Sequence, residues 1–202
     1  MNIGLVPISA KPYHQGHHAL VELAAAQNDK VLLFVSISDR NRKGEFAISG
    51  ADMQKIWSDH LEAIMPSNVE IEYGGSPVRK IYELIGVVCD EGSPDVFTVY
   101  SDPSDTASNY PQAYREKYME PACSLGQVKF ASEENPDSVT RGVGTPDISG
   151  TEMRSYLESE DITKFAEKLP AGVDAKAIFD LLSKNNQNES ILKNYVSAIL
   201  KM

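Results

Sequence analysis

Five apolar runs of strand length alternate with longer amphipathic stretches along the 202-residue chain, and this alternation restricts its fold more than any other feature. Runs rich in Val, Ile, Phe and Tyr are typical of buried parallel strands, and the stretches between them are typical of crossover helices. The sequence therefore predicts an α/β fold with a parallel sheet of about five strands. These strands are expected at Ile3–Ile8, Lys30–Ile37, Val69–Tyr73, Val96–Tyr100 and Gln127–Ala131.

The intervening segments predict helices and two polar loops. Helices are expected at Ala19–Ala26, Ser49–Met65, Pro77–Val88, Gln112–Met119, Lys164–Lys168, Asp174–Ser183 and Glu189–Lys201. The segments Ser101–Pro111 and Ser132–Pro146 are predicted to be loops, the second of them mobile, because they lack hydrophobic periodicity. We expect one α/β domain over residues 1–160 and a helical extension, 161–202, packed on it. The apolar face of that extension also suits a homo-oligomer.

The composition argues against several classes of partner. The formal net charge is −10, so a bulk attraction to nucleic acid or to an anionic membrane is not expected. A small anionic ligand needs local cations, and Arg40, Arg42 and Lys43 form one candidate cluster, with Arg141 and Arg154 as another. Two cysteines, no signal peptide and no spanning segment predict a cytoplasmic protein.

The stretch after the first strand carries the first candidate site. It contains Lys11, His14, Gly16 and His17, between a predicted strand and a predicted helix. A helix start offers free N–H groups and a positive dipole end to a phosphate, and glycine permits close approach of the anion. Imidazoles here are able to donate hydrogen bonds to phosphate oxygens. The alternative is that His14 and His17 are ordinary loop residues and Gly16 a turn former.

The second candidate site is the segment Ile148–Leu157. Ser149 is placed to cap a helix, and Glu152 to complete a Ser-x-x-Glu capping box. This structural role leaves room for a functional one. A capped helix start with the hydroxyls of Ser149 and Thr151, and with Arg154 one turn on, also suits a polyphosphate.

Taken together, His14-Gln15-Gly16-His17 and Ile148-Ser149-Gly150-Thr151-Glu152-Met153-Arg154 resemble the two motifs of the nucleotidyltransferase superfamily that has the His-x-Gly-His motif. That superfamily is similar in fold and mechanism to the catalytic core of class I aminoacyl-tRNA synthetases. The second motif looks most like that of archaeal-type nicotinamide-nucleotide adenylyltransferases, and Ile-Ser-Gly-Thr is also similar to the motif of ATP sulfurylases. The resemblance covers about residues 1–160 and implies a Rossmann-like sheet.

The resemblance implies a reaction and roles for the matching residues. An NMP, foremost AMP from ATP, would pass to a small phosphorylated acceptor such as nicotinamide mononucleotide, and pyrophosphate would leave. His14 and His17 would stabilise charge on the α-phosphate, and Gly16 would pack against the nucleotide. Ser149, Gly150, Thr151 and Arg154 would hold the β- and γ-phosphates. Mg²⁺ would bind mainly through the phosphates.

Two positions depart from the archaeal pattern and leave the acceptor open. Ser9, expected at the nucleotide, stands where an arginine is usual, and Lys11 stands where Asp, Asn or Gln is usual. Either Lys11 supplies the missing positive charge from a new position, or the substrate preference has changed. The alternatives are a cytidylyltransferase, a pantetheine-phosphate adenylyltransferase or a sulfurylase-like enzyme of the same fold, or a nucleotide-binding or structural protein without turnover.

Overall fold

The computed structural model describes residues 1–120 and 122–184, with the backbone alone at residues 89–91. The chain divides into two compact units, each assembled from three segments. Unit 1 consists of Met1–Ala10, Gln15–Ile37 and Met65–Ile148, and unit 2 of Lys11–His14, Ser38–Ile64 and the chain from Ser149 onward. The division expected at residue 160 stays a prediction. The helix expected at Glu189–Lys201 lies outside the described residues.

Unit 1 is built on a parallel sheet. Its strands are β1 Asn2–Ile8, β2 Lys30–Val35, β3 Val69–Tyr73, β4 Val96–Val99 and β5 Val128–Phe130. They lie in the order β3-β2-β1-β4-β5, and every neighbouring pair is parallel. The predicted Rossmann-like α/β fold is confirmed. The strand order reverses beside β1, so the carboxyl ends of β1 and β4 flank the switch point at which open α/β sheets bind ligands.

The helices follow the predicted alternation. In chain order they are α1 Gln15–Gln27, α2 Gly50–Ile56, α3 Pro77–Glu91, α4 Pro103–Asn109, α5 Gln112–Tyr118, α6 Ala131–Glu134, α7 Pro136–Val139, α8 Gly150–Glu158 and α9 Ile162–Glu167. Residues 175–184 are also helical. Right-handed crossovers in this strand order place α1 and α3 on opposite faces of the sheet. No helix among the described residues is both long and apolar enough to span a lipid bilayer.

Three predicted boundaries are wrong, each for a local reason. Helix α1 begins at Gln15, four residues before the expected start at Ala19. The N–H groups of a first turn need no intrahelical acceptor, so this turn accepts residues that are poor helix formers elsewhere. The expected loop after β4 contains α4, which Asp102 caps. The expected mobile connection over 132–146 contains α7 and most of α6. Helices α4 and α7 both begin at a proline, a signal that a search for apolar periodicity does not detect.

The core of unit 1 lies around the middle of the sheet. Its buried side chains come from one face of the strands and from α3: Ile3, Leu5, Phe34, Ile81, Ile85, Phe97, Val99, Val128 and Phe130 among others. Tyr110 and Met119 close this core beside α5. Burial of so much branched and aromatic surface is the main force that holds the sheet together.

Unit 2 is helical in its longer segments. The helix expected over Ser49–Met65 starts as α2, continues as the π-helical turn Trp57–Leu61 and ends as the 3-10 turn Glu62–Ile64. The predicted apolar stripe is buried at Met53, Ile56, Trp57 and Leu61. The Trp57 ring meets the ring of Tyr13 edge to face, with centroids 4.8 Å apart. This packing ties the segment Lys11–His14 to the rest of unit 2.

Candidate functional site

The first motif is divided between the two units. Ser9, Gly16 and His17 belong to unit 1, and Lys11 and His14 belong to unit 2. The side chain of Ser9 is exposed, whereas Lys11 and His14 are buried. Each unit therefore carries part of the motif in a different local setting.

In unit 1 the motif forms the first turn of α1, since Gln15, Gly16 and His17 are its first three residues. Backbone N–H groups in a first turn have no intrahelical acceptor, which is the reason the sequence predicts an anion site at this helix start. The neighbouring His18 has its Nε2 3.6 Å from a carboxylate oxygen of Glu22. Burial lowers the pKa of His18, and the charge of Glu22 partly opposes that effect.

In unit 2 the second motif starts α8. Ser149 caps the helix, with its hydroxyl accepting from the N–H of Glu152 at 3.1 Å. Of the two hydrogen bonds of a capping box, this one forms, and the one from the Ser149 N–H to the Glu152 carboxylate does not. The Glu152 carboxylate accepts instead from the Tyr156 hydroxyl at 2.6 Å, and lies 3.8 Å from the ammonium of Lys168. Tyrosine one turn on outcompetes the Ser149 N–H for this carboxylate.

Arg154 is buried, with 5% of its surface exposed, and its guanidinium is fixed on three sides. Nη1 donates to the carbonyl oxygen of Lys11 at 2.9 Å, and Nη2 donates to Oγ1 of Thr151 at 2.9 Å. Nη2 also lies 3.2 Å from a carboxylate oxygen of Glu45. An arginine keeps its charge when buried, so this position is a permanent positive site inside unit 2.

Gly150 makes this arrangement possible. A Cβ at position 150 would lie 3.1 Å from Nη1 of Arg154 and 3.3 Å from the Lys11 carbonyl oxygen. Any side chain there would push apart the two groups that form the hydrogen bond. The predicted role for Gly150 was contact with phosphate, and the structure gives it a further role in positioning Arg154.

Around Arg154 the loop between β2 and α2 brings further charges. Arg40 donates from Nε to Glu45 at 2.8 Å and from Nη2 to its other oxygen at 3.2 Å. The Lys11 ammonium lies 3.4 Å from Oγ of Ser38. The Asp39 carboxylate accepts from the N–H of Gly50 at 2.8 Å, which fixes the loop to the start of α2.

We call Lys11, Arg40, Arg42 and Arg154, with Asp39 and Glu45, the unit 2 cationic cluster. Four cations against two carboxylates leave it positive in a chain whose net charge is −10. The pKa of Arg154 reflects its burial and the crowding of positive charge. Burial lowers the pKa of Arg154, and Arg40 and Arg42 lower it further while Glu45 opposes them.

The pKa values of Lys11 and Glu45 are lowered as well. Burial lowers the pKa of the Lys11 ammonium, Asp39 opposes the effect, and Arg40 adds to it. The hydrogen bond from Arg40 holds the pKa of the Glu45 carboxyl below its usual range, with Arg154 and Arg42 contributing. Such a cluster favours an additional anion with several oxygens, of which a phosphate is the commonest.

Sequence reasoning found part of this site and missed part. It selected Lys11, Thr151 and Arg154 through the motifs, and Arg40 and Arg42 as a basic cluster. It paired Arg154 with Arg141, which lies in unit 1. It missed Glu45 and Asp39, whose roles depend on a loop that meets residue 154, more than a hundred positions later. No local pattern signals such a contact.

Unit 1 contains a second candidate site. A polar cavity of about 230 Å³ is lined by Asn28, Tyr100, Lys129 and Glu134 among others, and none of the motif residues lines it. Its lysine already lies 3.8 Å from a carboxylate oxygen of Glu134, so the cavity has no excess positive charge for a phosphate. The cationic cluster remains the stronger candidate for an anionic ligand.

Solved structures that are similar to this chain include one of TmcAL. Thermotoga maritima TmcAL bound with alpha-thio ATP is similar over 93% of this chain and 56% of that chain, with 13% identity and a TM-score of 0.46. The chain thus spans a little over half the length of that protein. No family model matches the chain, and no curated protein matches it. The fold assignment rests on the strand order itself.

Proposed function

We propose that this protein is a nucleotidyltransferase that transfers AMP from ATP to a small phosphorylated acceptor, with nicotinamide mononucleotide the first candidate, and releases pyrophosphate. The observation that carries the proposal is the fixed, buried guanidinium of Arg154 within a positive cluster at the start of a capped helix. The resemblance of both motifs to one superfamily supports the same activity.

The chemistry assigned to these residues is positioning and charge stabilisation. A phosphate oxygen of the acceptor attacks the α-phosphorus in line; the new P–O bond forms as the bond to the β-phosphate oxygen breaks. The acceptor phosphate is already ionised near neutral pH, so no general base is required. Arg154, Thr151 and Lys11 would hold the departing pyrophosphate, and His14 and His17 would donate to the α-phosphate, as the motif implies.

A divalent cation, expected to be magnesium, fits this site only as a companion of the nucleotide. Among the described residues, no three or more His, Cys, Asp or Glu side chains are grouped so as to hold a metal ion. When bound, the cation would neutralise phosphate charge and favour departure of pyrophosphate. A cytoplasmic location, expected from the sequence, would supply both ATP and magnesium. A homo-oligomer also stays a prediction.

The proposal is tested by pyrophosphate release from ATP or CTP with magnesium, against a panel of acceptors led by nicotinamide mononucleotide. We expect release that depends on one acceptor and falls by roughly a hundredfold or more in His17→Ala, since one donor to developing charge is worth about that much. Arg154→Lys should lose activity while keeping the wild-type circular dichroism.

The matched control is His18→Ala, which removes a histidine from the next position of the same helix. Its imidazole lies beside Glu22, and we expect activity near that of wild type. Full activity in both His17→Ala and Arg154→Lys would contradict the proposal. Nucleotide binding without release for any acceptor would favour a binding protein instead.

A further inference from the structure

The carboxylate of Glu45 lies between two arginines of the cationic cluster. Arg40 donates to both of its oxygens, at 2.8 and 3.2 Å, and Nη2 of Arg154 is 3.2 Å from the oxygen that also meets Nε of Arg40. Two guanidinium groups that converge on one planar anion form the arrangement that commonly binds a phosphoryl group. In this structure a side chain of the protein supplies that anion.

The loop that carries Glu45 is anchored at its base and open at its tip. Arg40 and Ile48 exchange both backbone hydrogen bonds, at 2.8 and 2.9 Å, and this pair closes the loop. Gly44, beside Glu45, has a φ of +81°, and a Cβ there would meet no atom within 4 Å. Arg40 is therefore held by the backbone of the loop base, whereas Glu45 is at the open end.

Arg154 does not depend on Glu45 for its position, and the backbone of Arg40 is held at the loop base. Arg154 keeps its hydrogen bonds to the Lys11 carbonyl and to Thr151. The Glu45 side chain is 29% exposed, against 6% for that of Arg154, so the carboxylate is the member that can leave for solvent. Its departure would leave the cluster with one more uncompensated positive charge, which an incoming phosphate would balance.

We propose that Arg40 and Arg154 form a phosphoryl-binding site and that Glu45 is its built-in competitor, which a phosphate group of the nucleotide or of pyrophosphate displaces. The inference rests on the proposed function for the identity of the ligand, and it adds Arg40 to the residues that hold it. The competing carboxylate would weaken phosphate binding and would promote release of pyrophosphate by returning to the arginines.

Isothermal titration of the full chain with inorganic pyrophosphate, with and without magnesium, tests this arrangement. Glu45→Gln removes the competing charge and keeps the shape, so we expect pyrophosphate to bind about tenfold more tightly, or about 1.4 kcal/mol. Arg40→Gln should bind about tenfold more weakly. In the double variant, the gain from Glu45→Gln should shrink, because Arg40 is then absent.

The control variant is Glu160→Gln, which removes the same charge from an exposed residue after α8 and should leave the affinity unchanged. Unchanged or weaker binding in Glu45→Gln would overturn the inference; weaker binding would mean that Glu45 orients the arginines. Wild-type melting temperatures of the variants would exclude unfolding as the cause.

The same variants separate this inference from the proposed function. Tighter pyrophosphate binding by Glu45→Gln, without nucleotidyl transfer to any acceptor, would support the phosphoryl site and count against the enzyme. Transfer activity without tighter binding would support the enzyme and overturn the role of Glu45. Absence of pyrophosphate binding in wild type and in every variant would overturn the inference.

Discussion

Arg154 ties stability to the candidate function at the scale of a single residue. Its guanidinium is buried and always charged, so unit 2 has to supply acceptors for it, and it does so with a backbone carbonyl, a hydroxyl and a carboxylate. The first two acceptors are neutral. The residual charge is what makes the position useful for an anion and costly for folding.

Lys11 should show the same conflict between stability and binding. Because burial lowers the pKa of its ammonium, the charged form is less favourable in the folded chain than in the unfolded one. We expect Lys11→Met to raise the free energy of unfolding at pH 7 by about 1 kcal/mol and the melting temperature by about 2–4 °C. The same change should weaken pyrophosphate binding about tenfold.

The pH dependence of stability tests whether the buried charge of Lys11 is the cause of this difference. As the pH rises through the lowered pKa of Lys11 towards the ordinary lysine value, wild type loses the buried charge and its stability should approach that of Lys11→Met. Lys55→Met, at an exposed position of α2, should change stability by less than about 0.5 kcal/mol. A lower melting temperature for Lys11→Met would show that the ammonium stabilises unit 2.

At the scale of the element, two aspartates at the start of α4 make opposite contributions to stability. Asp102 precedes the first residue of the helix, and Asp105 lies in its first turn. The Asp102 carboxylate caps the helix, accepting from the N–H and the hydroxyl of Ser104 at 2.9 and 2.7 Å, and from the N–H of Arg141 at 3.3 Å. Burial raises the pKa of Asp102, but these hydrogen bonds outweigh burial and the pKa lies below its usual value. Burial and the charge of Asp102 raise the pKa of Asp105.

We therefore expect Asp102→Ala to destabilise unit 1 by about 1 kcal/mol at pH 7, and Asp105→Ala to be neutral or stabilising. The contribution of Asp102 is present above the ordinary aspartate pKa and is lost as the pH falls through its lower folded value. Urea unfolding at pH 7 and pH 3 should show the deficit of Asp102→Ala shrinking in acid. An equal deficit at both pH values would contradict this account.

Two glycines of unit 1 give a second contrast between elements. A Cβ at Gly86, inside α3, would meet no atom within 4 Å, whereas a Cβ at Gly144 would lie 2.3 Å from the backbone oxygens of Asp137 and Ser138. Gly86→Ala should stabilise the protein by about 0.5–1 kcal/mol through helix propensity. Gly144→Ala should cost about 2–3 kcal/mol or more, because backbone has to move.

Thermal unfolding of these two variants measures the contrast directly, since each makes the same chemical change. Destabilisation in Gly86→Ala would mean that α3 does not accept a side chain there. Wild-type stability in Gly144→Ala would mean that the turn after α7 shifts at no cost, and that its close packing against α7 is not required.

At the scale of the whole molecule, the sheet was predictable and the division into units was not. Strands such as Val69–Tyr73 are specified by their own apolar and β-branched residues, so local pattern is sufficient. Unit 2 depends on contacts among three distant segments, such as that between Lys11 and Arg154. Motifs pointed to both of these residues, but no pattern in the sequence pointed to Glu45 as their neighbour.

The distribution of charge also acts at this scale. The chain carries a net charge of −10, so at distances beyond the Debye length it presents a negative field to any polyanion. The cationic cluster acts at contact distance, where screening is weak. A small phosphate-bearing ligand rather than a nucleic acid stays the prediction from this distribution of charge.

The hydrogen bond from Arg154 to the Lys11 carbonyl joins positions 143 residues apart, and this separation has a consequence during synthesis. At ribosomal rates of about 5–20 residues per second, the carbonyl waits on the order of ten seconds for its donor. Strands β2 to β5 are synthesised in that interval. A nascent chain therefore contains the strands of the sheet before it contains α8, and the phosphate site proposed above is incomplete until α8 has emerged.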